Sequence, residues 1–74
     1  MSKPGLNAVV AGNIRKLRQA KGWSQDELAA RSGLHRTYVG AIERSERNIT
    51  LETLERLADA LSIPAVTLLR GKRK

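Results

Sequence analysis

The chain has 74 residues, a formal net charge of +7 and no cysteine, so it can build one small core that depends on neither disulfides nor thiolate metal sites. The excess of Lys and Arg favours a polyanionic partner, unless it serves only to keep the surface soluble. One Trp, one Tyr and no Phe are too few for stacking platforms, which makes duplex DNA a better candidate than a single strand.

Apolar residues recur every three or four positions along the chain, and this spacing predicts an all-α fold. The first helix, residues 7–21, places Val10, Ile14 and Leu17 on one stripe, and Gly22 supplies its stop. The apolar stretch near its start is far shorter than the ~20 residues that cross a bilayer. We therefore expect no membrane association.

The next two helices are short and are joined by a glycine. Ser24 and Glu27 have the spacing of a capping box, which predicts a second helix over residues 24–31. Gly33 can adopt the positive φ that ends one helix and turns into another. The third helix is predicted over residues 35–44.

Two further helices complete the prediction. Thr50 is a suitable N-cap for a fourth helix over residues 51–61. Pro64 suits the first position of a short fifth helix over residues 64–69, because it has no N–H to lose there. Residues 71–74 are expected to form a frayed basic tail.

The second and third helices, with a glycine between them, have the arrangement of a helix-turn-helix. The residues predicted to point inward are Leu28, Leu34, Val39 and Ile42, and those predicted to point outward are Arg36, Thr37, Gly40, Ala41 and Arg44. Arg36 could donate two hydrogen bonds to guanine and Thr37 could reach a base edge, while Gly40 and Ala41 would let the helix lie close to the groove.

Residues from about Ile14 to Leu69 resemble the phage-repressor and Cro-like (XRE-type) helix-turn-helix regulators, and the stretches 33–44 and 46–50 look most like the controller proteins of restriction-modification systems. The resemblance implies a lambda-repressor-like domain of five helices over residues 1–74. It also implies a transcriptional regulator that binds a pseudo-palindromic operator in double-stranded DNA. A general phage-type repressor of the same fold is the alternative.

The resemblance also implies the residues that contact DNA. Base readers would be Arg36, Thr37 and Arg47, and phosphate contacts would be Gln25, Tyr38, Arg44 and Asn48. His35 would cap the third helix or lie near a phosphate, because a lone histidine cannot build a metal site. Tyr38 could equally belong to the core, and Arg47 could be a solvated loop charge.

Glu43 would repel phosphate if it faced DNA, and in the resembling family it pairs with an arginine in the first helix, here Arg18. We expect both to be structural. The other acidic side chains are expected to keep the surface soluble or to pair with arginines, although in some relatives of this kind such residues contact RNA polymerase: Asp26, Glu27, Glu52, Glu55 and Asp59.

One recognition helix reads only a few base pairs, so we expect a homodimer. The last two helices carry more large aliphatic residues than one small core needs, and the predicted interface comprises Leu61, Ile63, Val66 and Leu69. No cofactor or metal is expected, and a cytoplasmic location fits a cysteine-free chain.

Three other function classes remain open on the sequence. An antitoxin or adaptor could use the same helical body for protein contacts alone, and an architectural protein would bind any duplex equally. An enzyme is disfavoured, because no carboxylate pair, nucleophile-base pair or phosphate loop occurs at a meaningful spacing.

Overall fold

The computed structural model describes residues 5–71, and this part of the chain is all-helical, which confirms the predicted fold class. The five helices are α1 Leu6–Ala20, α2 Gln25–Ser32, α3 Arg36–Glu43, α4 Leu51–Leu61 and α5 Ala65–Leu68. Each begins and ends within one or two residues of its prediction. The predicted tail at residues 72–74 lies outside the described residues.

The differences at the helix ends arise from capping residues. Ser24, His35 and Pro64 have extended backbone and lie just before helices that were predicted to include them. Ser24 accepts the backbone N–H of Glu27 at 3.0 Å, but the Glu27 carboxylate pairs with Arg31 at 2.6 Å rather than bonding back. Only half of the predicted capping box is therefore formed.

The turn between α2 and α3 depends on Gly33. Its φ is +72°, in the left-handed region, and the backbone N–H of Leu34 bonds to the Ala29 carbonyl at 3.0 Å. Ala29 is buried, so a small residue lies where α2 approaches its neighbours. This turn lets the chain change direction between α2 and α3 while both helices keep one face on the core.

The core lies where all five helices meet. Its largest fully buried side chains are Val10, Ile14, Leu28, Val39, Leu57, Leu61 and Leu68. α2 packs against α3 and α4, and α1 lies across α3, α4 and α5. Trp23 is half-buried against this core, with Arg31 Cζ 4.3 Å and Lys21 Nζ 5.2 Å from its ring centroid. The Trp23 ring therefore packs on the core and is itself in contact with two cations.

One predicted orientation needs correction in the core. Leu61 was predicted as a dimer contact, but it is only 1% exposed and packs inside the monomer. It faces inward because the apolar stripe of α4 places it in register with Leu54, Leu57 and Ala58. Leu34, predicted to point inward, is half-buried and packs against the core.

Two asparagines of α1 hold distant segments by their side-chain amides. Asn13 donates to the carbonyls of Leu68 and Arg70, each at 2.8 Å, and so fixes the end of α5. Asn7 bonds the segment between α3 and α4, which is described below. The long first helix therefore holds both the segment between α3 and α4 and the end of α5.

Candidate nucleic-acid interface

The first turn of α3 stands at the surface. Arg36 and Thr37 are exposed, and the side chain of Arg36 keeps 65% of its accessible surface. His35 precedes them as an exposed N-cap residue whose side chain makes no capping hydrogen bond. Three of the predicted DNA contacts are thus brought together at one end of the helix.

Gly40 and Ala41 were predicted to face outward, and both are buried. α3 is contacted by α1 and α2, so its free face is narrower than the sequence suggested. A Cβ at Gly40 would lie 3.1 Å from Arg44 Nη1 and 3.3 Å from Gln25 Oε1. The small residue at this position makes room for two side chains of this chain.

Beside α3 lies an open concavity of about 460 Å³ lined by His35, Thr37, Tyr38, Ala41 and Arg47. Tyr38 is half-buried, packs against the core and has the Arg47 guanidinium 5.9 Å from its ring centroid. The core prediction for Tyr38 therefore holds in part, and its contact with a phosphate stays a prediction. Arg47, although in a loop, lies beside α3.

Two arginines of this surface have carboxylate partners within the chain. Arg36 Nε lies 3.1 Å from Asp26 Oδ1, and Arg44 forms two hydrogen bonds to Glu46, at 3.0 and 3.1 Å. The hydrogen bonding with Arg44 lowers the pKa of Glu46, and Glu46 in turn raises the pKa of Arg44. The Arg44–Glu46 pair is therefore fully charged at neutral pH, and both ion pairs are exposed enough to open.

Beneath this surface lies the predicted pair of Arg18 and Glu43, and the prediction is confirmed. Arg18 Nε and Nη2 donate to the two Glu43 oxygens at 2.7 and 3.1 Å, while Nη1 donates to the Trp23 carbonyl at 2.6 Å. The bond to Glu43 raises the pKa of Arg18 against the opposing effect of burial. The Glu43 carboxylate is therefore engaged in a structural ion pair and does not face the surface.

Gln25 joins the same network from the start of α2. Its Nε2 donates to Glu43 Oε1 at 3.1 Å, and the side chain is held against α3. An amide nitrogen carries two hydrogens, so one remains for an anion next to the N-terminus of α2. The Gln25 side chain therefore lies at the start of α2 and is bound to α3, and its contact with a phosphate stays a prediction.

The segment between α3 and α4 carries Arg47 and Asn48, both exposed. It is held from α1, because Asn7 Nδ2 donates to the Arg47 carbonyl at 2.9 Å and Asn7 Oδ1 accepts the Ile49 N–H at 3.2 Å. Asp26 was among the acidic residues expected to pair with arginines, whereas Asn7 and the pairing of Glu46 with Arg44 were not predicted. The charge of Glu46 could have pointed to its pairing, but no local pattern marks an asparagine 40 residues away.

The described part of the chain, residues 5–71, contains no cluster of His, Cys, Asp or Glu that could hold a metal ion. Among the same residues, no helix has the length and apolar character needed to span a membrane.

Residues 14–68 match the helix-turn-helix family model HTH_3. A hypothetical transcription factor of Neisseria meningitidis is 53% identical over 64 residues, covering 86% of this chain and 60% of that protein. Control protein C.SmaI of Serratia marcescens is 48% identical over 68 residues, covering 89% of this chain and 81% of that protein.

A solved structure of the restriction-modification controller protein C.Esp1396I, a tetramer in complex with its natural 35-base-pair operator, is also similar. It superimposes with a TM-score of 0.81 at 38% identity, covering 89% of this chain and 87% of that one. These relatives are regulators, and no catalytic family is indicated. The chain belongs to the helix-turn-helix family of XRE-type transcriptional regulators and is homologous to the controller proteins of restriction-modification systems.

Proposed function

We propose that residues 1–74 act as one domain that binds a pseudo-palindromic operator in double-stranded DNA as a homodimer and controls a restriction-modification operon. The observation that carries the proposal is the exposed first turn of α3, where Arg36 and Thr37 stand beside the concavity that Arg47 lines. A guanidinium and a hydroxyl on one free helix end can reach base edges in a major groove.

The remaining predicted contacts would hold the domain on the DNA backbone. Gln25 at the start of α2, together with Tyr38, Arg44 and Asn48, would contact phosphates, with His35 close to one. Arg44 would have to exchange Glu46 for a phosphate oxygen, which the exposure of that ion pair permits. Base reading would then fall to Arg36, Thr37 and Arg47.

A dimer would place two α3 helices about one DNA turn apart, roughly 34 Å. Apolar residues available for the contact are Val66, which is 55% exposed, and the half-buried Ile63 and Leu69. Leu69 also lines an apolar groove whose rim includes Leu51, 83% exposed. The proposed interface therefore retains three predicted residues and gains Leu51.

The exposed acidic residues of α4 are compatible with activation as well as repression of transcription. Glu52, Glu55 and Asp59 are exposed on α4 and could contact RNA polymerase, which would make the protein an activator as well as a repressor. A regulator of this kind acts on the bacterial chromosome or a plasmid, and hence in the cytoplasm.

The proposal is tested by selecting bound duplexes from a random pool, which reports sequence, symmetry and half-site spacing together. We expect a two-fold related site, and Arg36→Ala should bind it ~1–3 kcal/mol more weakly and lose preference at one base position in each half. Arg15→Ala, which removes an exposed charge from α1, should keep the preference.

Two outcomes would contradict the proposal. Recovery of no common sequence would favour an architectural protein, and a lack of duplex binding at low salt would favour a protein adaptor.

Affinity for the selected site should fall by ~10³–10⁵ between 50 and 200 mM salt if ~6–10 phosphates are contacted.

A further inference from the structure

The segment between α3 and α4 is fixed at its two ends by its own neighbours. At its start, the N–H of Glu46 bonds to the Ala41 carbonyl at 2.9 Å, and at its end Thr50 caps α4 by accepting the Thr53 N–H at 3.1 Å. Between these points lie Arg47 and Asn48, which have no helical bonding of their own.

The middle of this segment is held by a single side chain from α1. The Asn7 amide uses its nitrogen for the Arg47 carbonyl and its oxygen for the Ile49 N–H, so it spans Asn48 on both sides. Among the described residues, no other hydrogen bond engages these two backbone groups. The conformation of residues 47–49 therefore depends on Asn7.

The two hydrogen bonds of Asn7 differ in exposure, because the bond to the Ile49 N–H is partly buried and the bond to the Arg47 carbonyl is exposed. The Asn7 side chain is half-buried in the apolar groove formed with Val10, Ile49 and Leu54. Apolar neighbours shelter the bond to Ile49 from water, and Ile49 is anchored by packing against the core. The bonds thus fix a backbone whose outer side chains, Arg47 and Asn48, are free to meet a ligand.

We propose that Asn7 is a positioning residue for DNA recognition: it sets the backbone of residues 47–49 so that Arg47 lies beside α3 and Asn48 faces the same duplex. The inference rests on the proposed function. Asn7 touches no DNA in this scheme, and it acts through Arg47 and Asn48. Without the Asn7 side chain, residues 47–49 would have to become ordered on binding DNA. That ordering lowers affinity and weakens the preference of Arg47 for one base.

The chain offers a matched control in Asn13. It lies on the same helix and also makes two backbone hydrogen bonds with its amide, but these hold Leu68 and Arg70 at the end of α5 and not the segment between α3 and α4. Asn7→Ala and Asn13→Ala each remove two hydrogen bonds, so they should cost similar stability. At protein concentrations at which both variants are fully dimeric, only Asn7→Ala should weaken binding to the selected duplex, by roughly threefold to tenfold.

A double-mutant cycle separates positioning from a general loss of structure. In an Arg47→Ala background, Asn7→Ala should have much less effect on affinity than in the wild type, because the side chain that it positions is gone. Asn7→Asp is a second variant, for use if the alanine variant folds poorly, since an acidic residue suits the first turn of α1. It keeps the acceptor for Ile49 but cannot donate to Arg47, and its effect should show the same dependence on Arg47.

Amide hydrogen exchange provides a readout that does not involve DNA. The Ile49 N–H should exchange faster in Asn7→Ala while the amides of the buried part of α4 are unchanged. Equal losses of affinity in Asn7→Ala and Asn13→Ala, or additive losses with Arg47→Ala, would overturn the inference. A wild-type protein without sequence preference would instead refute the proposed function, and unchanged Ile49 exchange would refute the inference independently.

Discussion

Individual side chains on the proposed DNA surface show that formal charge overstates what is available to a phosphate. Arg36 has Asp26 as a neighbour and Arg44 has Glu46, whereas Arg47 lies against a tyrosine ring. Each exposed carboxylate competes with DNA for the arginine and also repels the backbone. In the free protein, part of the proposed DNA surface is therefore neutralised by the chain's own carboxylates.

Substitution of Glu46 tests this competition. Glu46→Gln releases Arg44 from a charged partner, so affinity for any duplex should rise, by roughly twofold to fivefold. The dependence of log affinity on log salt should also become steeper by about one ion if Arg44 then engages a phosphate fully. Fluorescence anisotropy titrations with a labelled duplex at several salt concentrations would measure both.

The control is Glu55→Gln, which makes the same change of net charge on the exposed surface of α4. If it raises affinity as much as Glu46→Gln does, the effect is one of overall charge and the competition at Arg44 is refuted.

Single residues also mark the limit of prediction from sequence. The Arg18–Glu43 pair was predictable because an acidic residue near a DNA surface needs a partner, and the family resemblance named one. Gly40 and Ala41 were misplaced because small residues suit either a close DNA approach or close packing, and sequence does not distinguish the two. Here the packing of Gln25 and Arg44 decides.

At the scale of helices, the backbone conformation at some helix ends can be predicted from sequence and at others it cannot. Gly33 was predictable, because glycine is the residue that most readily adopts a positive φ at a helix end. Ser62 ends α4 with φ +60° and Ser45 follows α3 with the same φ. Serine seldom adopts this conformation, so no sequence pattern indicates either one. The positive φ accompanies helix-end hydrogen bonds from the Ile63 N–H to Ala58 and from the Glu46 N–H to Ala41.

The turn at Gly33 should be sensitive to substitution. Gly33→Ala places a Cβ at positive φ and should lower the free energy of unfolding by ~1–2 kcal/mol. The nearest obstacle, Arg56 Nη1 at 3.1 Å, is the end of a flexible side chain, so the backbone rather than a clash sets this cost. Urea denaturation at fixed protein concentration would measure it.

Gly12→Ala serves as the matched control, because Gly12 lies within α1 and a Cβ there meets nothing within 4 Å. It should raise stability by ~0.5–1 kcal/mol, since glycine is a poor helix former. Equal effects of the two substitutions would show that the turn does not require a left-handed residue.

For the whole molecule, the described surface combines a polar recognition end with apolar residues elsewhere. Leu6, Leu51 and Val66 are large and exposed, and Leu6 and Leu51 share a groove of about 300 Å³ with Leu69. Val66 lies three residues before Leu69 on the short α5. Exposed apolar residues this close together are typical of a surface that contacts another protein.

A charge in this region should therefore disrupt the proposed dimer. Val66→Glu should raise the dimer dissociation constant at least tenfold, corresponding to the ~1.4 kcal/mol expected for an interface residue of moderate importance. Sedimentation equilibrium would measure the dissociation constant. DNA affinity at low protein concentration should fall with it, because two half-sites are then bound by separate monomers.

Ala20→Glu, on an exposed position near the end of α1, adds the same carboxylate away from α5. It should leave the dimer intact. A Val66→Glu protein with unchanged self-association would exclude α5 from the interface and leave the groove at Leu51 as the place to test next.

The position of the single tryptophan has a practical consequence for all of these experiments. Trp23 lies between two cations at the junction of α1 and α2, and it does not line the concavity beside α3. Its emission should respond when that junction comes apart and remain steady while a duplex is bound. The protein thus contains an intrinsic optical probe with which unfolding can be followed separately from DNA association in the same cuvette.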